Sequence, residues 1–177
     1  VPFPKSITFT ASVPGKSPVV LSGHYWYNAN TLRNNVRCPA IVELNPYRCR
    51  DGTMYVDSKM HPWFAYNNYL AFRVDLQGSG NSDGALTDEY TDEELSYCVQ
   101  VINQIAALPI CDGNVGMIGI SYFAMAQLAG AIEAPEHLKA IFPVATTGDI
   151  YEAAWHNGLL SSTFISAWIS GVATLAQ

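Results

Sequence analysis

The chain has 177 residues, 49% of them hydrophobic and 14% charged, with a net charge of −6. That length suits one domain of ordinary size, and the apolar share supplies a real core. Its nine basic residues are scattered, which argues against nucleic acid as a partner, and no apolar run approaches the length of a membrane span.

So few charges leave little solvated surface, and part of the apolar surface is expected to be covered by something else. No basic start followed by an apolar stretch is visible, and the chain begins at Val1, so it is read as processed, trimmed or a piece of something longer. The four cysteines, Cys38, Cys49, Cys98 and Cys111, show no zinc-ligand spacing. Cys38 and Cys49 flank a stretch that reads as a strand, which holds them beyond disulfide reach. Reduced thiols are expected, and with them a cytoplasmic setting. No metal or cofactor is expected.

"SITFTASV" (6–13) and "VVLSGHYWYN" (19–28) alternate as antiparallel strands split by a "PGKSP" turn. "PAIVELNPY" (39–47) and "YLAFRVDLQ" (69–77) are compact apolar runs, as buried strands are. Between them, "DSKMHPWFAYNN" reads as a short helix with Trp63, Phe64 and Tyr66 packing inward. A glycine-rich loop, "QGSGNSDG" (77–84), follows the fourth strand. No lysine follows it and Asp83 would repel a phosphate, so it reads as a tight structural turn. Thr91 with Glu94 three residues on forms a capping box, and Leu95, Val99, Ile102, Ile105 and Ala106 then share one helical face. "NVGMIGI" is the fifth strand, "YFAMAQLAGAIEA" its helix and "LKAIFPVAT" the sixth strand, and from Ile150 the pattern turns helical. Strands alternating with helices imply a mainly parallel sheet with helices on both faces. Such sheets place their chemistry at the carboxyl ends of the strands, where loops begin at Tyr47, Gly78, Ser121 and Thr146.

Ser121 stands at a strand-to-helix corner with Gly119 two residues before it and Phe123 where a second glycine is usual. The pentapeptide alone fits two readings. One is a nucleophile elbow, in which a strained turn lifts Oγ clear of the sheet. The other is an ordinary serine capping the start of a helix. Tyr47 alone is equally a ring packed at a strand end with its hydroxyl in water.

The wider context resembles one family. "CDGNVGMIGISY" (111–122), "NPYRCRDGT" (45–53) and "RVDLQGSGNSDG" (73–84) resemble, in order and at family spacing, the cocaine esterase and X-prolyl dipeptidyl-peptidase group of serine hydrolases. "DEYTDEEL" (88–95) matches in character, and Gln77 stands where relatives usually carry arginine. The likeness runs from about residue 40 to 160. It implies an α/β-hydrolase fold of which this chain is the N-terminal part, with residues 1–149 belonging to the hydrolase domain and 150–177 to the start of a helical cap. It also implies Ser121 as nucleophile, the backbone N–H of Tyr122 as one oxyanion donor, and the Tyr47 hydroxyl as the second. Trp155 and His156 are expected to line the substrate side.

A serine needs a base, and the base an orienting acid. Downstream of Ser121 the chain offers Asp149, His137 and His156. His137 falls at the far end of the sheet, and Asp149 and His156 more plausibly line the cap than form a relay. The expected partners are therefore a small-molecule ester or amide and a remainder of the same protein carrying the acid and histidine, with an exposed edge at the sixth strand. Rival functions are an X-prolyl dipeptidyl-peptidase or α-amino acid ester hydrolase and, in another class, a non-catalytic binding module.

Overall fold

A computed structural model describes residues 4–175. Its strands are β1 (Lys5–Ala11), β2 (Val19–Trp26), β3 (Cys38–Asn45), β4 (Leu70–Asp75), β5 (Cys111–Ile120) and β6 (Leu138–Val144), in the sheet order β1-β2-β4-β3-β5-β6. The first two pairings are antiparallel and the remaining strands run parallel. This is the expected α/β architecture. The helices α1 (Ala29–Arg33), α2 (Met54–Tyr66), α3 (Asp92–Ala106) and α4 (Tyr122–Ile132) connect and cover the strands. Sequence reading missed α1, a short helix whose start is capped by the Asn28 side chain.

Period-two alternation sorts the central strands between two faces. Val42, Leu44, Phe72 and Val74 join α3 in the main core. Glu43 and Arg73, directly paired across β3 and β4, point to the opposite face, under α2. There the helix presents Asp57, His61 and Ala65, all buried and four residues apart. Arg73 Nη1 bonds Glu43 Oε2, Arg73 Nε lies 3.3 Å from Asp57 Oδ1, and His61 Nε2 lies 3.1 Å from Glu43 Oε2.

These charges decide which face of α2 turns in, and they correct the expectation for its aromatic residues. Trp63 and Tyr66 are 61% and 80% exposed, and only Phe64 packs partly against Trp26, Ala65 and Ala71. The Asp57–His61–Ala65 stripe holds the inner face, so Trp63 and Tyr66 are left on the outside.

Thr91 caps α3 by accepting from the Glu94 N–H at 3.2 Å. The return half of the expected box differs, because the Glu94 carboxylate takes the N–H of Tyr90, one residue earlier, at 3.0 Å. Glu94 thereby turns inward. The buried face follows it through Cys98, Val101, Ile102 and Ile105, leaving Leu95 and Val99 half-buried. All four cysteines are buried and free.

Beyond β6 the chain is not wholly helical. Between α5 (Ile150–Ala154) and α6 (Ser162–Leu175) lies a small hairpin, β7 (Trp155–His156) and β8 (Leu159–Leu160). Asn157 and Gly158 turn it with φ of 51° and 78°, the left-handed pair that an Asn-Gly hairpin turn uses. The last two residues of the expected cap segment and the first three of the chain lie outside the described residues. Among the described residues β6 is an edge strand, with Phe142 65% exposed, and no helix is long and apolar enough to cross a membrane.

Replacing Arg73 by methionine is expected to lower unfolding free energy by ~3–5 kcal/mol, because it leaves the buried carboxylates of Glu43 and Asp57 without their cation. Denaturant unfolding of the variant checks this, and a loss below about 1 kcal/mol would mean that the cluster is dispensable.

Candidate active site

Ser121 ends β5 and begins α4 with φ 61° and ψ −122°, a backbone region that side chains other than glycine rarely occupy. A capping serine would have extended backbone and would accept an N–H of the first turn. Ser121 has neither, for its side chain makes no capping bond. Its backbone is fixed instead. Its N–H donates to Val144 O at 3.0 Å, and its carbonyl accepts from Ala124 and Met125 at 2.8 and 3.1 Å. Gly119 permits the sharp corner, since a Cβ there would lie 2.2 Å from Phe123 Cβ. The corner therefore has the geometry of a nucleophile elbow, with a bulky Phe123 accommodated by the preceding glycine.

Tyr47 comes from the loop after β3. Its N–H donates to Asn45 Oδ1 at 2.7 Å, and the preceding carbonyl of Pro46 accepts from Ser79 Oγ at 2.8 Å. The glycine-rich segment thus braces this loop, as a structural turn would. Its ring meets those of Phe123, Trp168 and Tyr122 edge-on at centroid distances of 5.4, 6.0 and 6.4 Å. Burial pushes the Tyr47 hydroxyl up to about 12, against the pull of a side-chain hydrogen bond with Ser121. At neutral pH it is a protonated donor next to the serine.

Tyr122 follows Ser121 in the first turn of α4, where backbone N–H groups lack helical acceptors and the helix dipole is positive. Its wholly buried side chain donates to Glu94 Oε2 at 2.7 Å. Burial drives the Glu94 carboxyl up to about 6 even though Tyr122 and the Tyr90 N–H both stabilise its charge.

A pocket of about 370 Å³ opens beside Ser121, lined mainly by apolar groups that include Met125, Ile150, Phe164 and Trp168. Among the described residues of its lining, Glu89 is the one carboxylate. The Trp168 indole donates to its two oxygens at 3.1 and 3.3 Å, and burial raises its pKa. An apolar cleft with a few convergent polar groups beside a strained serine can bind an acyl group and present its carbonyl to Oγ.

The structure brings Ser121, Tyr47 and Tyr122 together. His156 and Trp155 sit on the β7–β8 hairpin and do not line the pocket; His156 is 78% exposed on its side chain and lies 3.7 Å from Glu152. Asp149 Oδ1 caps α5, accepting from Glu152 N–H at 3.0 Å, and among the described residues no ion pair joins Asp149 to His156, whose carboxylate neighbour is Glu152. His137 Nδ1 lies 2.9 Å from Gly113 O at the start of β5, the opposite end of the strand from Ser121 and on the order of 20 Å away. It is half-buried there, at the far end of the sheet as expected. Sequence reading missed Glu89, Trp168 and the inward role of Glu94. Glu89 and Glu94 both lie in the acid-rich "DEYTDEEL", where spacing along the chain signals a helix start and not these inward contacts.

Away from the pocket, ligand atoms of Glu43, Asp57 and His61 lie within 4.8 Å of one another, as around a metal. The Arg73 guanidinium already stands between the two carboxylates, so an internal cation balances them.

Residues 31–177 match the family described as X-Pro dipeptidyl-peptidase (S15 family). The cocaine esterase of Rhodococcus sp. (strain MB1 Bresler) is 29% identical over 140 residues, 77% of this chain and 24% of that one. A crystal structure of a CocE/NonD family hydrolase from Staphylococcus aureus has a TM-score of 0.73 at 19% identity, covering 97% of this chain and 33% of that one. The chain thus spans about a quarter to a third of the length of these relatives.

The Glu94 environment generates a pH prediction. Its folded-state pKa, about 6, exceeds the ordinary 4.5, so the folded state binds more protons between those values. The Glu94 contribution is therefore fully present below about pH 4.5 and declines as pH rises through 6. A Glu94→Gln variant should gain ~1–2 kcal/mol on the parent between pH 4 and pH 7.5. Unfolding curves at the two pH values measure this, and a constant difference would place Glu94 in a more polar setting than its burial implies.

Proposed function

The chain belongs to the S15 X-Pro dipeptidyl-peptidase family of serine hydrolases, and from that premise we propose that it carries the nucleophile and oxyanion site of an enzyme cleaving carboxylic esters or amides through an acyl-enzyme. The observation that carries this reading is the strained, uncapped Ser121 at the carboxyl end of β5, beside the protonated hydroxyl of Tyr47.

In this mechanism Ser121 Oγ attacks the substrate carbonyl as a base takes its proton. The carbonyl oxygen becomes an oxyanion held by the Tyr47 O–H and the Tyr122 N–H. The tetrahedral intermediate collapses, the protonated base delivers its proton to the leaving alcohol or amine, and an acyl ester remains on Oγ. Water, deprotonated by the same base, attacks that ester and frees the acid and the serine. Fixed donors aimed at the oxyanion supply the main electrostatic term because they need no reorganisation. We assign the base and its acid to polypeptide outside the present sequence, along the β6 edge; among the described residues the pocket lining holds no histidine, which supports this. Residues 150–175 act as the first part of a cap, a role supported by Phe164 and Trp168 lining the pocket beside Ser121.

Glu89 favours a second reading of the substrate. A half-buried carboxylate in an apolar pocket suits the ammonium of an α-amino ester or of a peptide N-terminus, as the family name implies. If so, Glu89→Gln should depress kcat/KM about tenfold or more for α-amino esters and leave matched esters without the amine little changed, since a charge-assisted bond contributes ~1.5–3 kcal/mol. Equal losses on both substrates would assign Glu89 to holding Trp168 only.

The main reading is tested in the full-length protein with p-nitrophenyl acetate. Acid quenching during turnover should trap the acetyl group on the Ser121 peptide in mass spectra. Tyr47→Phe should keep the fold and lower kcat by ~10²–10³. Acetyl on another residue, or an unchanged kcat in the folded variant, would remove the assignment.

A further inference from the structure

The buried ionic cluster has no step in the proposed chemistry, yet a chain of hydrogen bonds leads from it to Tyr47. Asp57 Oδ2 accepts from Thr53 Oγ1 at 3.0 Å. Thr53 Oγ1 accepts in turn from Asn45 Nδ2 at 3.2 Å. Asn45, wholly buried, accepts the Tyr47 N–H on its Oδ1 at 2.7 Å. Thr53 is the N-cap residue of α2, where a threonine hydroxyl ordinarily accepts an N–H of the first turn. Here it makes no capping bond. The hydroxyl is turned away from its own helix and bridges Asp57 to Asn45.

Asn45 also explains why that bridge matters. Its Nδ2 has two acceptors, Thr53 Oγ1 and Cys49 Sγ at 3.3 Å, and this leaves Oδ1 free for Tyr47. Sulfur is a weak acceptor. Without the threonine oxygen, little would hold the amide plane in the orientation that receives the Tyr47 N–H. The loop has no slack elsewhere, for a Cβ on Gly52 would stand 1.9 Å from Tyr47 O. A second path reaches the Tyr47 ring. Arg73, which pairs with Asp57, lies over the Phe123 ring at 4.4 Å, and that ring meets Tyr47 at 5.4 Å. The cluster therefore grips Tyr47 by both backbone and ring.

We propose that Thr53 is a positioning residue for the oxyanion site: its hydroxyl, fixed by Asp57, orients Asn45 and so sets the backbone of Tyr47 and the aim of its hydroxyl. This rests on the reading of Tyr47 as an oxyanion donor. Displacement of a catalytic group by about 1 Å can cost ~10²-fold in rate, so a loosened backbone at Tyr47 reaches the chemistry without any change in substrate contacts.

The test compares Thr53→Val, Thr53→Ser, Tyr47→Phe and the Tyr47→Phe/Thr53→Val double variant in the full-length protein, with p-nitrophenyl acetate as substrate. Thr53→Val should lower kcat ~10-fold or more with KM little changed, and Thr53→Ser, which keeps the hydroxyl, should restore it. In the Tyr47→Phe background Thr53→Val should have no further effect, because the group it positions is gone. Hydrogen exchange gives a second readout that needs no activity: peptides spanning 46–52 should exchange faster in Thr53→Val than in Thr53→Ser. Equal fold losses in both backgrounds, an unchanged kcat, or unchanged exchange of that loop would overturn the positioning role while leaving Tyr47 as donor. A neutral Tyr47→Phe would instead remove the oxyanion reading itself, and this inference with it.

Discussion

The guanidinium of Arg73 lies inside the protein, bonded to Glu43, 3.3 Å from Asp57 and 4.4 Å from the centre of the Phe123 ring. Burying such a charge alone would cost several kcal/mol. Both carboxylates must therefore be present, and each comes from a different element. Glu43 fixes β3 to β4 at one register, and Asp57 fixes the face that α2 turns inward. The third contact, with Phe123, joins this assembly to the turn that carries Ser121. One buried cation thus constrains two strands, a helix and the Ser121 corner.

From that base the candidate site follows by short links. The parallel strands end together on one side, so the loops after β3, β4 and β5 converge. Ser79 ties the third-strand loop to the fourth through the Pro46 carbonyl. Gly119 makes room for Phe123, and Phe123 in turn backs Tyr47. Glu94 reaches from the start of α3 to the Tyr122 hydroxyl, holding the ring of the residue that follows Ser121. The serine side chain makes no helix cap and meets the Tyr47 hydroxyl instead.

Much of this was legible in the sequence because period-two and helical patterns report burial directly. The six main strands, the Thr91 cap and the Ser121 corner appear close to where the patterns place them. Other features were hidden for identifiable reasons. The inward face of α2 is set by ionic pairing and not by hydrophobicity, so its exposed Trp63 and Tyr66 misled a reading based on apolar periodicity. Glu94 reaches the Tyr90 N–H and the Tyr122 hydroxyl, partners that spacing along one helix does not disclose. The Asn157–Gly158 turn did carry a local signal, which the surrounding helical pattern masked. At Ser121 the letters alone fit both an elbow and a capping serine, and the two differ only in backbone conformation and capping bond.

The central claim is that Ser121 Oγ attacks a carbonyl whose oxygen is received by the Tyr47 hydroxyl and the Tyr122 N–H. The most direct measurement is a crystal structure of the full-length protein after reaction with a phosphonate ester, whose tetrahedral phosphorus stands in for the intermediate. The account predicts phosphorus bonded to Ser121 Oγ, with one phosphonyl oxygen ~2.7–3.1 Å from both Tyr47 Oη and Tyr122 N. Phosphorus on another residue, or a phosphonyl oxygen turned away from Tyr47 and held by other donors, would contradict it.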